Sequence, residues 1–425
     1  MKHHGFLFFL LLSLLSGCGS QSSLSSGHAS SPAAVQDGRD APDTVEIALT
    51  EEGITAEELH NALAAYPELR KLDCPNCTLT AEEQLSLQQD YPDVTFLWPV
   101  LWGGQIIPSD APALDLSGES VSAEELLRML PLFPEATEVA LGSARLDTEE
   151  ITELREHFPD VLFRYEAELF GRSFDSWTEE LDLSGLRLKD TAELEESLVH
   201  FPKLRKVVMC ECGLDNETMD ALNRKYEEIR FVWLVNVLGR GVRTDATYFI
   251  QYNLPSCRLE GSRAHNLRYC PDMIAVDLGH TGLVNGELDF LAYMPHLKYL
   301  IIADSHLTEL PEISALKELV YLEAFLSPIK DYTPLLDCPS LTHLNLGYNA
   351  YMKDENLEFF RQMTNLEALW LPGARLSSDA VQELKDALPD CEIVTGYIGG
   401  STDGGWRDTD AYRAMRDTVH MPYMK

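Results

Sequence analysis

A long internal repeat constrains the fold of this chain more than any other feature of its sequence. Residues 178–188 read TEELDLSGLRL, and 67 residues earlier residues 111–121 read APALDLSGESV. The phrases Tyr91-Pro92-Asp93 and Phe158-Pro159-Asp160 recur at the same 67-residue distance. Similarity at a fixed period is typical of solenoids, in which each unit packs on the units beside it.

A shorter frame inside these blocks spaces apolar residues as L-x-x-L-x-L-x-x-(N/C)-x-L. This spacing resembles that of leucine-rich repeat proteins. The resemblance implies an α/β fold, a leucine-rich repeat solenoid shaped as a horseshoe or arc. Its parallel β-sheet would be concave, with helices or short helical turns on the convex side. Twelve frames fit the pattern, and they begin at Thr44, Leu69, Ala111, Ala136, Thr178, Leu204, Thr247, Met273, Leu297, Leu319, Leu341 and Leu366.

Helix-start signals recur between the frames. Thr55 and Thr80 are each followed three positions on by a glutamate, which predicts a capping box. Pairs such as Tyr66-Pro67 end the helices, because the residue before a proline avoids helical angles. The N-terminal units are therefore predicted to be strand–helix units similar to ribonuclease-inhibitor repeats. From Leu297 onward the spacing falls to 22 residues, which resembles internalin repeats with only short helical turns.

Each 67-residue block also holds a third strand that does not lead to a helix. Its aromatic residues alternate along the strand, so they share one face, and we expect that face to be core. An aromatic platform for a ligand is the alternative. The glycine that follows makes either a hairpin or a shortened coil, and the sequence leaves both open. These strands start at Phe96, Phe163 and Phe231, and the glycines are Gly104, Gly171 and Gly239.

The N-terminus predicts export and a lipid anchor. Lys2 precedes an apolar run from Phe6 to Leu15, which is too short to span a bilayer and is typical of a signal peptide. The following Leu15-Ser16-Gly17-Cys18 resembles the lipobox of bacterial lipoproteins, which implies that Cys18 carries the lipid. Residues 18–43 are rich in Ser, Ala, Gly and Pro and predict a flexible tether. We therefore expect an extracytoplasmic protein anchored at the cell surface.

The charge of the chain limits its partners. Lys and Arg number 33 against 69 Asp and Glu, which gives a formal net charge of −36. Such an excess of negative charge argues against nucleic acid and against an anionic membrane surface as partners. Contact with the membrane is therefore assigned to the N-terminal lipid.

Cys74 and Cys77 form a C-x-x-C pair, which raises the question of a redox or metal site. The frame points Cys74 inward and places Cys77 at the N/C position, which Cys212 also occupies, so packing under the turn is favoured. A reactive thiolate would need exposure. A zinc site shared with Cys210 and Cys212 fails, because about four strand spacings of about 4.7 Å, roughly 20 Å, separate the frames. Thiol-redox activity is kept as the alternative.

The sequence contains no convergent catalytic set, phosphate loop or metal motif, so we predict no enzyme activity and no cofactor or metal. Function is instead expected at outward strand positions, because exposed aromatics on adjacent strands favour binding. The predicted ligand is another protein or a glycan. A purely structural envelope role is a further alternative. The predicted ligand-binding residues of the concave face are Tyr299, Tyr321, Glu323, Phe325, His343, Asn345, Tyr348 and Trp370.

These features predict five parts of the chain. A tail with Trp406, Tyr412 and Met415 among charges is expected to cap the solenoid. The alternatives are that it binds a partner or covers some of the concave-face aromatics. The parts are a signal peptide at 1–17, a tether at 18–43, three 67-residue modules at 44–246, repeats of mostly 22–25 residues at 247–398, and the C-terminal loop and cap at 399–425.

Overall fold

The computed structural model describes residues 45–251 and 264–421. The predicted signal peptide, tether and lipidated Cys18 lie outside these residues. The chain divides into two compact units, Met1–Pro99 and Val100–Lys425. In the described part of the chain, no helix is both long and apolar enough to cross a membrane.

The first unit has the predicted alternation of strands and helices. Its three strands pair in parallel, with Ile47, Leu72 and Phe96 in register. The Thr55 hydroxyl accepts a hydrogen bond from the Glu58 N–H at 3.3 Å, which is one half of the predicted capping box. The elements are β1 (Glu46–Ala48), α1 (Ala56–Ala65), β2 (Lys71–Asp73), α2 (Ala81–Asp90) and β3 (Thr95–Leu97).

Two further modules in the second unit repeat this plan. Each has three parallel strands in chain order. The aromatic–proline pairs end their helices as predicted, with Phe133, Phe158 and Phe201 as the last residues before the turn. The strands are β6 (Ala113–Asp115), β7 (Glu138–Ala140), β8 (Leu162–Arg164), β11 (Glu180–Asp182), β12 (Lys206–Val208) and β13 (Arg230–Val232). The helices are α3 (Ala123–Met129), α4 (Thr148–His157), α5 (Ala192–Ser197) and α6 (Asn216–Lys225), with 3₁₀ turns at Leu130–Leu132 and Leu198–His200.

A two-stranded hairpin follows the third strand of every module, which settles the alternative that the sequence left open. Phe170 and Gly171 both have positive φ, 49° and 68°. A two-residue hairpin turn needs positive φ at both positions for its twist to match that of the two strands. Phe163 and Tyr165 are buried, so the aromatics of this segment are core, as expected. The hairpins pair β4 (Pro99–Trp102) with β5 (Gln105–Pro108), β9 (Glu166–Leu169) with β10 (Arg172–Asp175), and β14 (Leu234–Val237) with β15 (Arg240–Arg243).

The later frames form one parallel sheet of seven strands in chain order. Leu300, Leu322, Leu344 and Leu369 stand side by side in register and have no exposed surface, so they make a continuous row under the sheet. The strands are β16 (Tyr248–Ile250), β17 (Ala275–Asp277), β18 (Tyr299–Ile301), β19 (Tyr321–Glu323), β20 (His343–Asn345), β21 (Ala368–Pro372) and β22 (Glu392–Gly396).

The connections behind this sheet are mostly 3₁₀ turns, at His265–Tyr269, Asp289–Tyr293, Pro311–Ala315 and Thr333–Asp337. The prediction of short turns after Leu297 is confirmed for the last two of these. It is wrong for α7 (Asp354–Phe360) and α8 (Ser378–Ala387). The spacing widens again to 25 residues after Leu341, and Ser377 caps α8 by accepting the Ala380 N–H at 3.3 Å.

Each of the twelve predicted frames contains a parallel strand. The N/C positions lie inside in six of the frames that the structure describes. Cys77, Cys212 and Asn349 are all buried. The Cys212 thiol donates to the Leu183 carbonyl at 3.2 Å, which is the bond under the turn that the frame predicts. The fold is a leucine-rich repeat solenoid. The last elements of the described residues are a 3₁₀ turn at Trp406–Asp408 and helix α9 (Asp410–Thr418).

Candidate functional site

The strand face is the surface formed by the outward-pointing residues of the parallel strands. Side chains alternate along a strand, so the first and third residues of each three-residue strand share this face. The register aligns them into two rows across the seven-stranded sheet. The first row is Tyr248, Ala275, Tyr299, Tyr321, His343, Ala368 and Glu392, and the second is Ile250, Asp277, Ile301, Glu323, Asn345, Trp370 and Val394.

The eight residues predicted to bind a ligand do come together here, but they are not exposed. Tyr321, Asn345 and Trp370 have no exposed surface, and Glu323, Phe325 and His343 are also buried. Tyr299 and Tyr348 are half-buried. The expectation of exposed side chains is therefore wrong, because residues 399–421, termed the C-terminal segment, lie over this part of the strand face. Their role in binding an external ligand stays a prediction.

Trp406 is the centre of this cover. It is fully buried, and its ring lies 5.2 Å from the rings of both Tyr321 and Trp370, and 6.2 Å from that of His343, measured between centroids. Its indole N–H donates to Glu323 Oε1 at 2.7 Å. The Tyr321 hydroxyl donates to the same oxygen. An apolar cage with one polar acceptor thus binds the indole by both shape and hydrogen bonding.

The loop before Trp406 is bound through its backbone. Two side chains of the strand face and Tyr348, which follows β20, donate to carbonyl oxygens of alternate residues in this loop. Such bonds do not depend on the side chains of the loop. They run from Tyr348 Oη to Gly399 at 2.7 Å, from Asn345 Nδ2 to Ser401 at 2.9 Å, and from Trp370 Nε1 to Asp403 at 3.0 Å.

Helix α9 packs one of its faces on the sheet. Its buried residues recur at a spacing of three or four, which places them on one side of the helix. Ala275 and Ala368 in the first row join the same apolar cluster, and their small side chains leave room for the helix. The helix contributes Ala411, Tyr412, Met415 and Val419 to the cluster. The segment therefore lies across the strand face, which is the alternative to a cap that the sequence left open.

Burial changes the titration of the covered groups. Burial raises the pKa of the Glu323 carboxyl, and the Tyr321 and Trp406 donors offset only part of that rise. It also raises the pKa of Asp277, two strands away in the same row. Burial lowers the pKa of His343. Burial thus favours the uncharged forms of Glu323, Asp277 and His343 while the segment is docked.

A different part of the strand face is open. In the second module, Asp115, Ala140 and Arg164 stand in register across β6, β7 and β8. They line a cleft of about 610 Å³ whose other wall is the β9–β10 hairpin. The remaining lining residues are Ser117, Gly142, Ser143, Tyr165, Glu166, Ser173, Phe174 and Asp175.

Small residues in the central strand and directly after it create this cleft. Ala140 and Gly142 stand where the third module has Val208 and Cys210. Gly142 has φ 57°, and a Cβ there would lie 2.6 Å from the Ser117 carbonyl oxygen, so a larger residue does not fit.

Arg164 is oriented within the cleft by the hairpin. Its Nη2 lies 2.6 Å from Asp175 Oδ2 and its Nε donates to the same oxygen at 3.0 Å. This pairing lowers the pKa of Asp175. Both side chains stay about half exposed, so the guanidinium and carboxylate remain accessible to a ligand. This cleft was not predicted from the sequence, although the small residues Ala140 and Gly142, at the end of one strand and just after it, were a usable signal.

The described residues 45–251 and 264–421 hold no cluster of three or more His, Cys, Asp or Glu suited to a metal ion. Cys74 and Cys77 are buried in the first unit. A hydrogen bond between the two thiols raises the pKa of Cys74 and lowers that of Cys77. Exchange with an external thiol would require the coil to open first.

Solved structures of other repeat proteins are similar to this chain. The internalin inlF from Listeria monocytogenes is 12% identical with a TM-score of 0.26, over 85% of this chain and 87% of that chain. Internalin C2 from the same bacterium is 15% identical with a TM-score of 0.29, over 45% and 89%. The leucine-rich repeat protein LIC12759 of Leptospira interrogans is 14% identical with a TM-score of 0.29, over 83% and 96%.

No protein-family model and no curated protein matches the sequence. The scores of the solved structures are low, so the fold is assigned from the strand register and the buried rows of this chain itself.

Proposed function

We propose that this chain is a recognition protein without enzymatic activity that binds another protein through the open part of its strand face. The observation that carries the proposal is the cleft around Arg164 in the second module. Its volume of about 610 Å³ lies in the range of ligand-binding clefts. Paired strands hold both walls, the parallel strands β6–β8 on one side and the β9–β10 hairpin on the other, so the site is preformed and little ordering is needed when a partner binds.

Charge indicates the kind of partner. Among the residues that line the cleft, Arg164 supplies the positive charge, beside the carboxylates of Asp115, Glu166 and Asp175. The whole chain carries a formal net charge of −36. A partner with a basic surface and a carboxylate or backbone acceptor for Arg164 suits this arrangement. We expect binding to weaken as salt concentration rises, because surface charges are screened.

The test is capture of envelope proteins by crosslinking, with each captured protein quantified by mass spectrometry. Ala140→Trp fills the cleft without changing charge and should abolish capture. Arg164→Ala should weaken it strongly. Both residues face outward, so the free energy of unfolding should change by no more than about 0.5 kcal/mol.

Arg187→Ala provides the matched control, because Arg187 is exposed and lies outside the cleft. This variant should capture the partner as the unaltered chain does. Capture that survives Ala140→Trp would contradict the proposed site. Binding of a glycan in place of a protein would show as loss of a glycan-array signal in Ala140→Trp and no crosslinked protein.

Anchoring at the cell surface through Cys18 is part of the same proposal. The sequence Leu15-Ser16-Gly17-Cys18 supports it. Cys18→Ser should release the chain from the membrane fraction into the medium or periplasm, with its melting temperature unchanged. Membrane retention of this variant would contradict a lipid anchor at Cys18.

A further inference from the structure

The contacts of the C-terminal segment divide into a general and a specific part. Asn345 and Trp370 of the strand face, together with Tyr348, donate to carbonyls of alternate residues between Gly399 and Asp403. Every peptide has these carbonyls, so this part of the site accepts an extended backbone whatever its side chains are. The bonds position a bound chain without selecting its sequence.

Selection comes from the indole site. Trp406 fills the space among Tyr321, His343 and Trp370, and its N–H donates to the buried carboxyl group of Glu323 at 2.7 Å. A phenylalanine there would leave an acceptor without that bond, which is costly in a buried site. The site therefore favours tryptophan over other aromatics.

Helix α9 adds a second selective element, four residues after Trp406. Met415 and Tyr412 enter the apolar cluster, whereas Asp410, Arg413 and Asp417 are exposed. One apolar face laid on a complementary surface is the usual way in which an amphipathic helix is recognised. The strand face thus has the features of a receptor for an extended stretch, a tryptophan and a helix.

The segment is also separable from the repeats. The leucine row that stabilises the sheet, including Leu322 and Leu344, lies on the opposite side of the strands from Trp406. Glycines with positive φ precede the tryptophan, Gly399 at 97°, Gly404 at 72° and Gly405 at 95°, and glycine crosses such regions at little cost. Release of the segment would expose the strand face and leave the interior of the repeats closed.

We propose that this part of the strand face is a receptor site for a partner protein segment that carries a tryptophan followed by an amphipathic helix, and that residues 399–421 are its exchangeable resident occupant. The partner displaces the resident segment by making the same contacts. This site is distinct from the Arg164 cleft, so it goes beyond the proposed function. Occupancy by the resident segment keeps the site closed until such a partner is present.

The resident segment competes with any added peptide for the same site, and this competition sets the conditions of the experiment. A segment joined by a short flexible loop acts at an effective concentration on the order of millimolar. A free peptide at micromolar concentration should therefore bind poorly to the unaltered chain. Weakening the resident segment should reveal the site.

The experiment uses a fluorescent synthetic peptide of residues 399–421 as the probe and fluorescence anisotropy as the readout. The full chain with Trp406→Ala should bind this peptide saturably, with an apparent Kd at least about ten-fold lower than that of the unaltered chain. The same peptide with Trp406→Phe should bind more weakly, because it lacks the donor to Glu323.

Trp177→Ala is the matched control protein, since Trp177 lies at the end of the second module, far along the chain from the segment. It should bind the peptide no better than the unaltered chain. A folded Trp406→Ala chain that does not bind the peptide would overturn the proposal. Equal binding by the Trp177→Ala chain would also overturn it.

Hydrogen exchange on the unaltered chain gives a second test that needs no variant. Amides of α9 should exchange through a local opening, faster than those of β19 and β20. Exchange of α9 only together with these strands would make the segment a fixed part of the fold and overturn the proposal. Partner capture through the Arg164 cleft is measured separately, so failure of either proposal leaves the other to be judged alone.

Discussion

The second module and the seven-stranded sheet use the same frame but present different strand faces. The second module places Asp115, Ala140 and Arg164 outward, and its face is open. The seven-stranded sheet places Tyr321 and Trp370 outward, and the C-terminal segment covers them. The frame determines which residues are buried under the strands. The residues between the leucines determine whether the other side meets solvent or another part of the chain.

The width of each face explains part of the difference. The hairpins limit the parallel sheets of the modules to three strands, about 10 Å across at two spacings of about 4.8 Å. Seven strands without a hairpin give about 29 Å by the same spacing. Helix α9 has nine residues and is about 13 Å long, so only the wider face can seat it together with the loop that precedes it.

The largest effect is expected where the interior row is broken. Leu344 has no exposed surface, so Leu344→Ala should lower the free energy of unfolding by about 2–5 kcal/mol. Leu181→Ala is the equivalent change in the third module and should cost a similar amount. Trp406→Ala should cost less in global unfolding, since only the docked segment is lost. Chemical denaturation compares the three variants.

The relative cost of these variants shows whether the C-terminal segment unfolds with the repeats. If Trp406→Ala lowered the global free energy of unfolding as much as Leu344→Ala, the segment would belong to the cooperative core of the repeats. The distinction between an interior row and a separately covered face would then be lost.

A smaller difference in the free energy of unfolding is expected between variants at the N/C turn positions of the two regions. Asn349 donates to the Ile329 carbonyl at 2.9 Å and to the Tyr332 hydroxyl at 2.7 Å, and accepts the Tyr351 N–H at 2.9 Å. Cys212 makes weaker thiol bonds. Asn349→Ala should therefore cost about 2–3 kcal/mol and Cys212→Ala about 1 kcal/mol. Urea unfolding measures both, and equal costs would contradict this ranking of the two turn types.

The pH dependence of docking should separate covered from open carboxylates. The docked pKa of Glu323 is raised by burial, so its contribution to docking is greatest at low pH and is lost as pH rises through that pKa. The groups that act on it are Tyr321, Trp406, Asp277 and Arg407. His343 has the opposite effect. Burial lowers its pKa, so docking is weakened as pH falls and the undocked imidazole becomes protonated.

The variant Glu323→Gln isolates the carboxylate. It keeps an acceptor for the indole and cannot ionise, so α9 should be better protected than in the unaltered chain at about pH 8 and similarly protected at about pH 4. Hydrogen exchange corrected for the intrinsic pH effect measures this protection. Greater protection of the unaltered chain at the higher pH would contradict the expected direction of the pH effect.

The smallest stability effect is expected at the first hairpin. Leu101 and Ile106 are 64% and 74% exposed, whereas the equivalent residues of the second hairpin are Glu168 and Ser173, paired in register. Leu101→Glu with Ile106→Ser should change the free energy of unfolding by within about 0.5 kcal/mol while reducing binding of a hydrophobic dye. A large loss of stability would show that these side chains are packed.

Much of the fold follows from the sequence because the frame is local. Leucines at fixed spacing specify an inward row, as Leu322 and Leu344 show, and a hydroxyl with a glutamate three residues on specifies a helix start, as Thr55 and Glu58 show. The aromatics of the third strands were also assigned correctly to the core, since Phe163 is buried.

The candidate sites were harder to predict because they depend on contacts between distant parts of the chain. The spacing of Tyr412, Met415 and Val419 gives the tail an apolar face, but nothing in the tail itself specifies which surface receives it. The cleft depends on the absence of large side chains at Ala140 and Gly142. A pattern of leucines carries no signal for such a space.

Hydroxyl-radical footprinting of the unaltered chain tests the division of the strand face most directly. Trp370, Trp406 and Tyr321 should be protected from oxidation, whereas Tyr397, which is 84% exposed beside the same sheet, should be oxidised readily. Oxidation of Trp406 and Trp370 at rates near that of Tyr397 would contradict the covered face, and with it the contrast between the two regions.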